Sequence, residues 1–209
     1  MYLALTVFLV LAVLVLNELW WRQHNPRGEL SRKMVHIIVG SFVAFWPFYL
    51  SWEAIEFLSL AFLVVVIISK YLNVFHAIHS VQRPTWGELF FALAVGGVAL
   101  ITHDKWIFMV AILQMSLADG LAAVIGTRYA KRAKYSIFGH TKSFIGSLTF
   151  LLVSLVLMLV YSVLAPNTEF TYVLVLIALG TTLVENFSVY GLDNFLVPIA
   201  TAVALKMIS

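Results

Sequence analysis

The chain has no cysteine and few charged residues. Of its 209 residues, 11% are Asp, Glu, Lys or Arg, where a globular domain carries about a quarter. The lack of cysteine excludes a disulfide framework, a thiolate metal site and a cysteine nucleophile. Strand-length alternation of apolar and polar residues is also missing, which argues against a transmembrane barrel. There is no internal repeat, no low-complexity tract and no linker. Gaps between apolar runs stay under about 20 residues, too short to bury a core of their own. The opening segment Met1 to Trp20 lacks a basic n-region and a small-residue cleavage site, so it reads as a first span rather than a secretory signal.

What the chain does have is hydrophobic sequence, 62% of it, with a mean hydropathy of +0.99. Several runs reach the roughly 17 to 25 apolar residues that cross a bilayer as a helix. The expected fold is all-α, a polytopic membrane helical bundle of about eight (seven to eight) transmembrane helices. Residues 1–209 would form a single integral membrane domain, with no soluble domain. The spans are read near Tyr2 to Leu19, Met34 to Leu50, Ala54 to Ser69, Leu89 to Ile101, Trp106 to Ile125, Phe144 to Ala165, Thr171 to Val184 and Phe195 to Met207. The fourth, seventh and eighth are short. A run of about 13 residues rises only about 20 Å against a hydrocarbon thickness of about 30 Å. Such helices borrow polar flanks, and Glu88, Glu185 and Asp193 lie there.

Charge placement then predicts a topology. Of the 13 Lys and Arg, 11 fall in the loops after spans one, three and five, and only Lys105 and Lys206 fall on the other side. By the positive-inside rule the N-terminus is outside and those loops are cytoplasmic. The active site is expected at that cytoplasmic face, built from helix ends and short loops.

The chemistry concentrates between Ser116 and Ser147. Asp119 sits inside an apolar run, where an acid is costly unless it faces a partner or a polar cavity. Lys142-Ser143 precedes a helix whose N-terminal amides favour anions, with Gly146 and Ser147 in its first turn. Gly139 to Ser143 is not a P-loop, because the first glycine of that motif is missing and no strand is expected before it. Arg128, Lys131, Arg132 and Lys134 read either as topology charges or as anion ligands. On an earlier helix Arg32, His36 and Gly40 share a face. Arg32 and Lys33 are placed to meet phosphates, with His36 hydrogen-bonding or shuttling a proton one turn deeper. Glu88 either complements a helix dipole or joins a metal site. Glu185-Asn186 and Asp193-Asn194 flank one short turn. Asp119, Glu88, Glu185 and Asp193 are the candidate oxygen ligands of a Mg²⁺ shared with substrate phosphates. Asp119, His36 and Glu185 are the candidate catalytic groups. Arg32, Lys33, Arg128, Lys142, Ser143, Gly146, Ser147 and Asn194 are the candidate anion-binding set. His24, His76, His79, His103 and His140 lack metal-ligand spacing and read as solvated. Trp20, Trp21, Trp46 and Trp106 read as an interfacial belt.

The segments RKMVHIIVG, RPTWGELF, LADGLAAVIGTRYA, TKSFIGS and LVENFSVYGLDNFLVP, in this order from Ser31 to Pro198, resemble the CTP-dependent polyprenol kinase family. That family includes dolichol, phytol and farnesol kinases and a yeast-type diacylglycerol kinase. The LADG and GLDNFLVP forms most resemble the phytol kinase branch. The resemblance implies transfer of the γ-phosphate of CTP, with Mg²⁺, to the hydroxyl of a membrane-dissolved isoprenoid alcohol. Its partners would be the lipid alcohol, the nucleotide and the membrane, with no nucleic acid. Two positions depart from the family pattern: Ile145 stands where many members have Glu, and Ala130 where Gly is common. There is no chloroplast transit peptide, so a plastid location does not follow from the resemblance. Two other readings fit the same residues. One is a CTP-using phosphatidate cytidylyltransferase-like or diacylglycerol kinase activity, and the other is a small ion-coupled transporter with Asp119 and Glu185 as relay.

Overall fold

A computed structural model describes residues 2–24, 28–72, 86–129, 134–166 and 171–209. The elements run α1 Tyr2–His24, α2 Gly28–Ala44, α3 Trp52–Leu72, α4 Gly87–Ile101 and α5 Lys105–Leu113. A π-helical segment Gln114–Ala118 leads into α6 Asp119–Tyr129. After them come β1 Lys134–Ile137, β2 His140–Ser143, α7 Phe144–Leu164, α8 Tyr172–Phe187 and α9 Asp193–Lys206.

The continuous helix Lys105–Tyr129 is the axis of the bundle. In an 18-residue stretch of it 72% of the residues are buried, against 28% for Trp52–Ser69 and 33% for such a stretch of Phe144–Leu164, so the other two present most of their surface outward. Asp104 starts the axial helix, its Oδ1 accepting from the amides of Trp106 at 2.7 Å and Ile107 at 3.1 Å. The fully buried Phe108, Met109, Ile112 and Met115 of the axis form one core with Ile55 of α3, Met158 and Tyr161 of α7, Leu174 of α8 and Leu205 of α9. Helix α2 packs along the axis, α3 packs on α4, α4 on α9, and α6 on α7.

The expected count of seven to eight spans is overturned. Among the described residues three helices are long and apolar enough to cross a bilayer: Trp52–Ser69, Lys105–Tyr129 and Phe144–Leu164. They make the chain a multi-pass membrane protein. The other apolar stretches, Tyr2–Leu16, Lys33–Phe48, Gly87–Ile101 and Tyr172–Phe187, have 10–17 residues. At 1.5 Å per residue these rise at most about 26 Å, short of the hydrocarbon core. Composition reports apolarity and not helix length, so short helices such as Gly87–Ile101 and Tyr172–Phe187 passed for spans.

The bundle also carries a two-stranded antiparallel hairpin, which the all-α expectation did not contain. Lys134 pairs with Ser143 and Tyr135 with Lys142. Its two-residue turn is Phe138 (φ 46°) and Gly139 (φ 77°), both left-handed as a type I′ hairpin turn requires. A strand therefore does precede α7, contrary to one premise used against a P-loop. The missing glycine still stands against that motif.

Two glycines set how closely α2 approaches the axis. A Cβ on Gly120 would stand 2.3 Å from Ile37 Cγ1, and one on Gly40 would stand 2.3 Å from Ser116 Cβ. Both distances are too short for real Cβ contacts, so a side chain or a helix would have to shift. Gly120→Ala is expected to cost about 1–3 kcal/mol, read as a lowered unfolding temperature in detergent. Adding Ile37→Ala should recover part of the loss, because the two positions share one contact.

Candidate active site

Polar side chains in so apolar a chain are stable only where helix ends and other polar groups meet them. Asp119 opens α6 directly after the π-helical segment, a helix irregularity often found at functional sites. It is 4% exposed, and Lys33 of α2 places Nζ 2.6 Å from its Oδ2. One turn on, His36 Nε2 lies 2.9 Å from the Met115 carbonyl oxygen in the π-helical segment. A carbonyl only accepts, so that nitrogen carries the hydrogen. It also stands 3.8 Å from Asp119 Oδ2. The close α2 seam at Gly40 and Gly120 brings Lys33 and His36 to this carboxylate.

A second ion pair forms between the hairpin and α8. Lys142 Nζ donates to Glu185 Oε1 at 2.6 Å and to the Glu185 carbonyl at 2.5 Å. Tyr135, opposite Lys142 in the hairpin, donates its hydroxyl to Asn186 Oδ1 at 2.6 Å. Ser147 Oγ donates to the same Oδ1 at 2.6 Å and lies 2.5 Å from the Tyr135 hydroxyl. One amide oxygen thus ties hairpin, α7 and α8 together. Ser143 caps α7, its Oγ accepting from the Gly146 amide at 3.0 Å. A Cβ on Gly146 would stand 3.2 Å from the Ala122 carbonyl and 3.7 Å from Gly126 Cα, so α6 and α7 cross at these two glycines.

Asp193 opens α9 and completes the group. One carboxylate oxygen each from Asp119, Glu185 and Asp193 lie within 4.8 Å of one another. Burial pushes the Asp193 carboxyl above the usual carboxylate range, and the neighbouring Asp119 carboxylate pushes it the same way. Lys33 pairs with Asp119 and Lys142 with Glu185, and Asp193 has no ion pair among the described residues. The donors are hard oxygens, the kind Mg²⁺ takes. Asn194 adds another: its Nδ2 donates to the Gly87 carbonyl at 3.0 Å, while its buried Oδ1 has no hydrogen-bond partner among the described residues. The residues present fit a divalent cation.

The ion pairs and Asp193 line one cavity of about 360 Å³, with Ser143, Gly146, Ser147 and Asn194 also in its wall, whereas His36, Tyr135 and Asn186 are not among its lining residues. Its volume lies within the range of ligand pockets, about 300–1,000 Å³. His140, read from sequence as solvated, lines it too, as do Lys134 and Tyr190. The wall does not include Glu88 or Arg128. Glu88 has a buried Oε1 with no hydrogen-bond partner among the described residues and stands outside the carboxylate group. Arg128 closes α6 with its guanidinium 5.5 Å from the Tyr129 ring centroid. Arg32 lies on α2, but its side chain is outside the described residues. Arg83, Lys131, Arg132, His76 and His79 also fall outside them.

A second cavity, about 140 Å³ and almost wholly apolar, lies among α1, α2, α3 and α4, with Leu14, Val39, Phe62 and Phe91 in its wall. The Phe91 ring meets His36 at 5.4 Å between centroids, near edge-on at 73°, so one aromatic separates this space from the Asp119 group.

Sequence reading missed Tyr135 and the His140–Tyr190 pair. The signal available for Tyr135 was the polar–apolar alternation of KYSI ahead of Phe138-Gly139. Lys142→Met would leave the Glu185 carboxylate buried without its partner, a change worth about 3–5 kcal/mol. Denaturant unfolding of the purified protein should show that loss, and Lys142→Met with Glu185→Gln should recover most of it.

Comparison with protein-family models finds no match, and no solved structure matches. Curated proteins do. The chain is 35% identical over 202 residues to a phytol kinase of Synechocystis sp., covering 91% of this chain and 84% of that protein. It is 31% identical over 207 residues to a Glycine max protein named "Probable phytol kinase 2, chloroplastic", covering 90% of this chain and 68% of that one. A Zea mays protein named "Probable phytol kinase, chloroplastic" is 32% identical over 214 residues, covering 90% and 69%. Similarity of this extent makes the chain a member of the phytol kinase family.

Proposed function

We propose that the protein transfers the γ-phosphate of CTP to the hydroxyl of a membrane isoprenoid alcohol of the phytol, geranylgeraniol or polyprenol class. The observation that carries this reading is the convergence of Asp119, Glu185 and Asp193 with Lys33 and Lys142 on one cavity. Phosphoryl transfer needs little covalent machinery, and its catalysis is mostly positioning and charge stabilisation. Family membership supports a kinase acting on such an alcohol.

Asp119, Glu185 and Asp193 are the residues that hold Mg²⁺, with Asn194 Oδ1 as a further oxygen at the rim. When bound, the ion would neutralise charge on the phosphate oxygens. Lys33 and Lys142 turn from their carboxylates toward the phosphates as nucleotide and metal enter. The α7 N-terminus behind Ser143 presents backbone amides to the same anion. The Tyr135–Asn186–Ser147 cluster holds Lys142 in register. His36 keeps its Nε2 hydrogen on the Met115 carbonyl and so fixes the backbone just before Asp119. A carboxylate within hydrogen-bond reach accepts the alcohol proton. The acceptor's apolar chain lies among the helices, with the cavity bounded by Phe91 adjoining the reacting groups. The site is assembled from helix ends, which favours surface-exchanged nucleotide over an ion relay, whose site lies near the midplane.

One domain spans residues 1–209 in this reading, and the loops that carry the site are cytoplasmic. Purified protein offered CTP, ATP, GTP and UTP against phytol, geranylgeraniol, dolichol and diacylglycerol should form an alcohol monophosphate, with CTP the preferred donor. Asp119→Asn should lower that turnover by roughly 10²-fold or more, in line with loss of a charge-stabilising group at a reacting centre. Unchanged turnover in Asp119→Asn would remove the central residue from the account.

A further inference from the structure

The turn between α8 and α9 contains a residue whose placement the phosphate site does not explain. Tyr190 has φ 57° and is followed by Gly191 at φ 89°, with the Leu192 amide donating to the Val189 carbonyl at 3.0 Å. Two consecutive left-handed residues make a tight turn that glycine, asparagine or aspartate fill without penalty, whereas a bulky aromatic there is a genuine outlier. Burial does not repay the strain, because Tyr190 is 53% exposed. A tyrosine that merely sat at a membrane interface would need no such backbone.

Its surroundings indicate a use. Tyr190 lines the same cavity as Lys33, Lys142 and Asp193. Its backbone is pinned, the Trp86 amide donating to the Tyr190 carbonyl at 3.2 Å. From across the cavity His140, at the end of the hairpin turn, meets the Tyr190 ring with centroids 4.7 Å apart and planes at 83°. An edge-to-face pair occupies one face of one ring, which leaves aromatic faces open for a stacked partner. Two rings thus stand in the wall of a cavity whose lysines attract polyphosphate.

We infer that Tyr190, held by His140, is the stacking surface for the nucleobase of the donor nucleotide. The inference rests on the proposed nucleotide-dependent function and adds a residue for the base, where Lys33 and Lys142 act on the phosphates. Any base has a π-face, so the ring contributes affinity more than choice among bases.

The test is equilibrium binding of CTP and of inorganic triphosphate, each with Mg²⁺, to the purified full-length protein and two variants. Tyr190→Asn removes the ring but suits the left-handed backbone. Tyr190→Phe keeps the ring. Tyr190→Asn should weaken CTP about 10-fold, equivalent to about 1.4 kcal/mol, and leave triphosphate within about 2-fold. Tyr190→Phe should leave both within about 2-fold. Unchanged CTP affinity in Tyr190→Asn overturns the inference, as does triphosphate weakening in step with CTP, which would mean a purely structural turn. Wild-type protein that binds CTP but transfers no phosphate would instead refute the kinase reading and leave the stacking result standing.

Discussion

Three carboxylates whose oxygens lie within 4.8 Å of one another are the constraint on which the rest depends. At an effective dielectric of about 20, each such pair repels by about 3–4 kcal/mol. The contacts of Lys33 and Lys142 at 2.6 Å attract by about 6 kcal/mol each on the same scale. The two lysines therefore hold together a group that would otherwise scatter. They come from elements far apart in the chain, α2 and the hairpin, and the carboxylates come from α6, α8 and α9. Five elements are committed to one point, and the bundle has to bring them there.

Glycine and the π-helical segment do much of that placement. Contact of α2 with the axial helix at Gly40 and Gly120 is closer than any side chain allows, and it sets the reach of Lys33. The π-helical segment ends at Ala118, and His36 engages the Met115 carbonyl within it. Gly126 and Gly146 bring α6 against α7 beside the Ser143 cap. The hairpin, pinned by Asn186 to Tyr135 and Ser147, then delivers Lys142 to Glu185. Packing and electrostatics are not separable here, since one ion pair is made by a helix seam and the other by the pinned hairpin.

Much of the site was legible in sequence because acids and cations inside apolar runs are rare and carry their own argument. Asp119, Glu185, Asp193, Lys33 and Lys142 stand out on that ground alone, and the structure brings these five to one cavity. Glu88 and Arg128 carried a second reading each, as a dipole partner and a topology charge, and both lie outside that cavity wall. The span count failed for a different reason. Hydropathy identifies apolar helices and does not tell a membrane-crossing one from a short one packed against its neighbours. The hairpin was illegible because four-residue strands carry little pattern, and Phe138 occupies a turn position where asparagine or glycine would have signalled it. Tyr190 could be recognised only from its dihedral angle.

The resulting account is of a family defined by phosphate transfer, built on a bundle whose polar groups converge beside an apolar interior. Its central claim is that the phosphate leaving the nucleotide ends on the lipid. The most direct measurement follows CTP labelled in the γ-phosphate, incubated with purified protein, Mg²⁺ and phytol. The account predicts label in the lipid monophosphate and unlabelled CDP as the other product. Label recovered in pyrophosphate, with cytidine joined to the lipid, would contradict it.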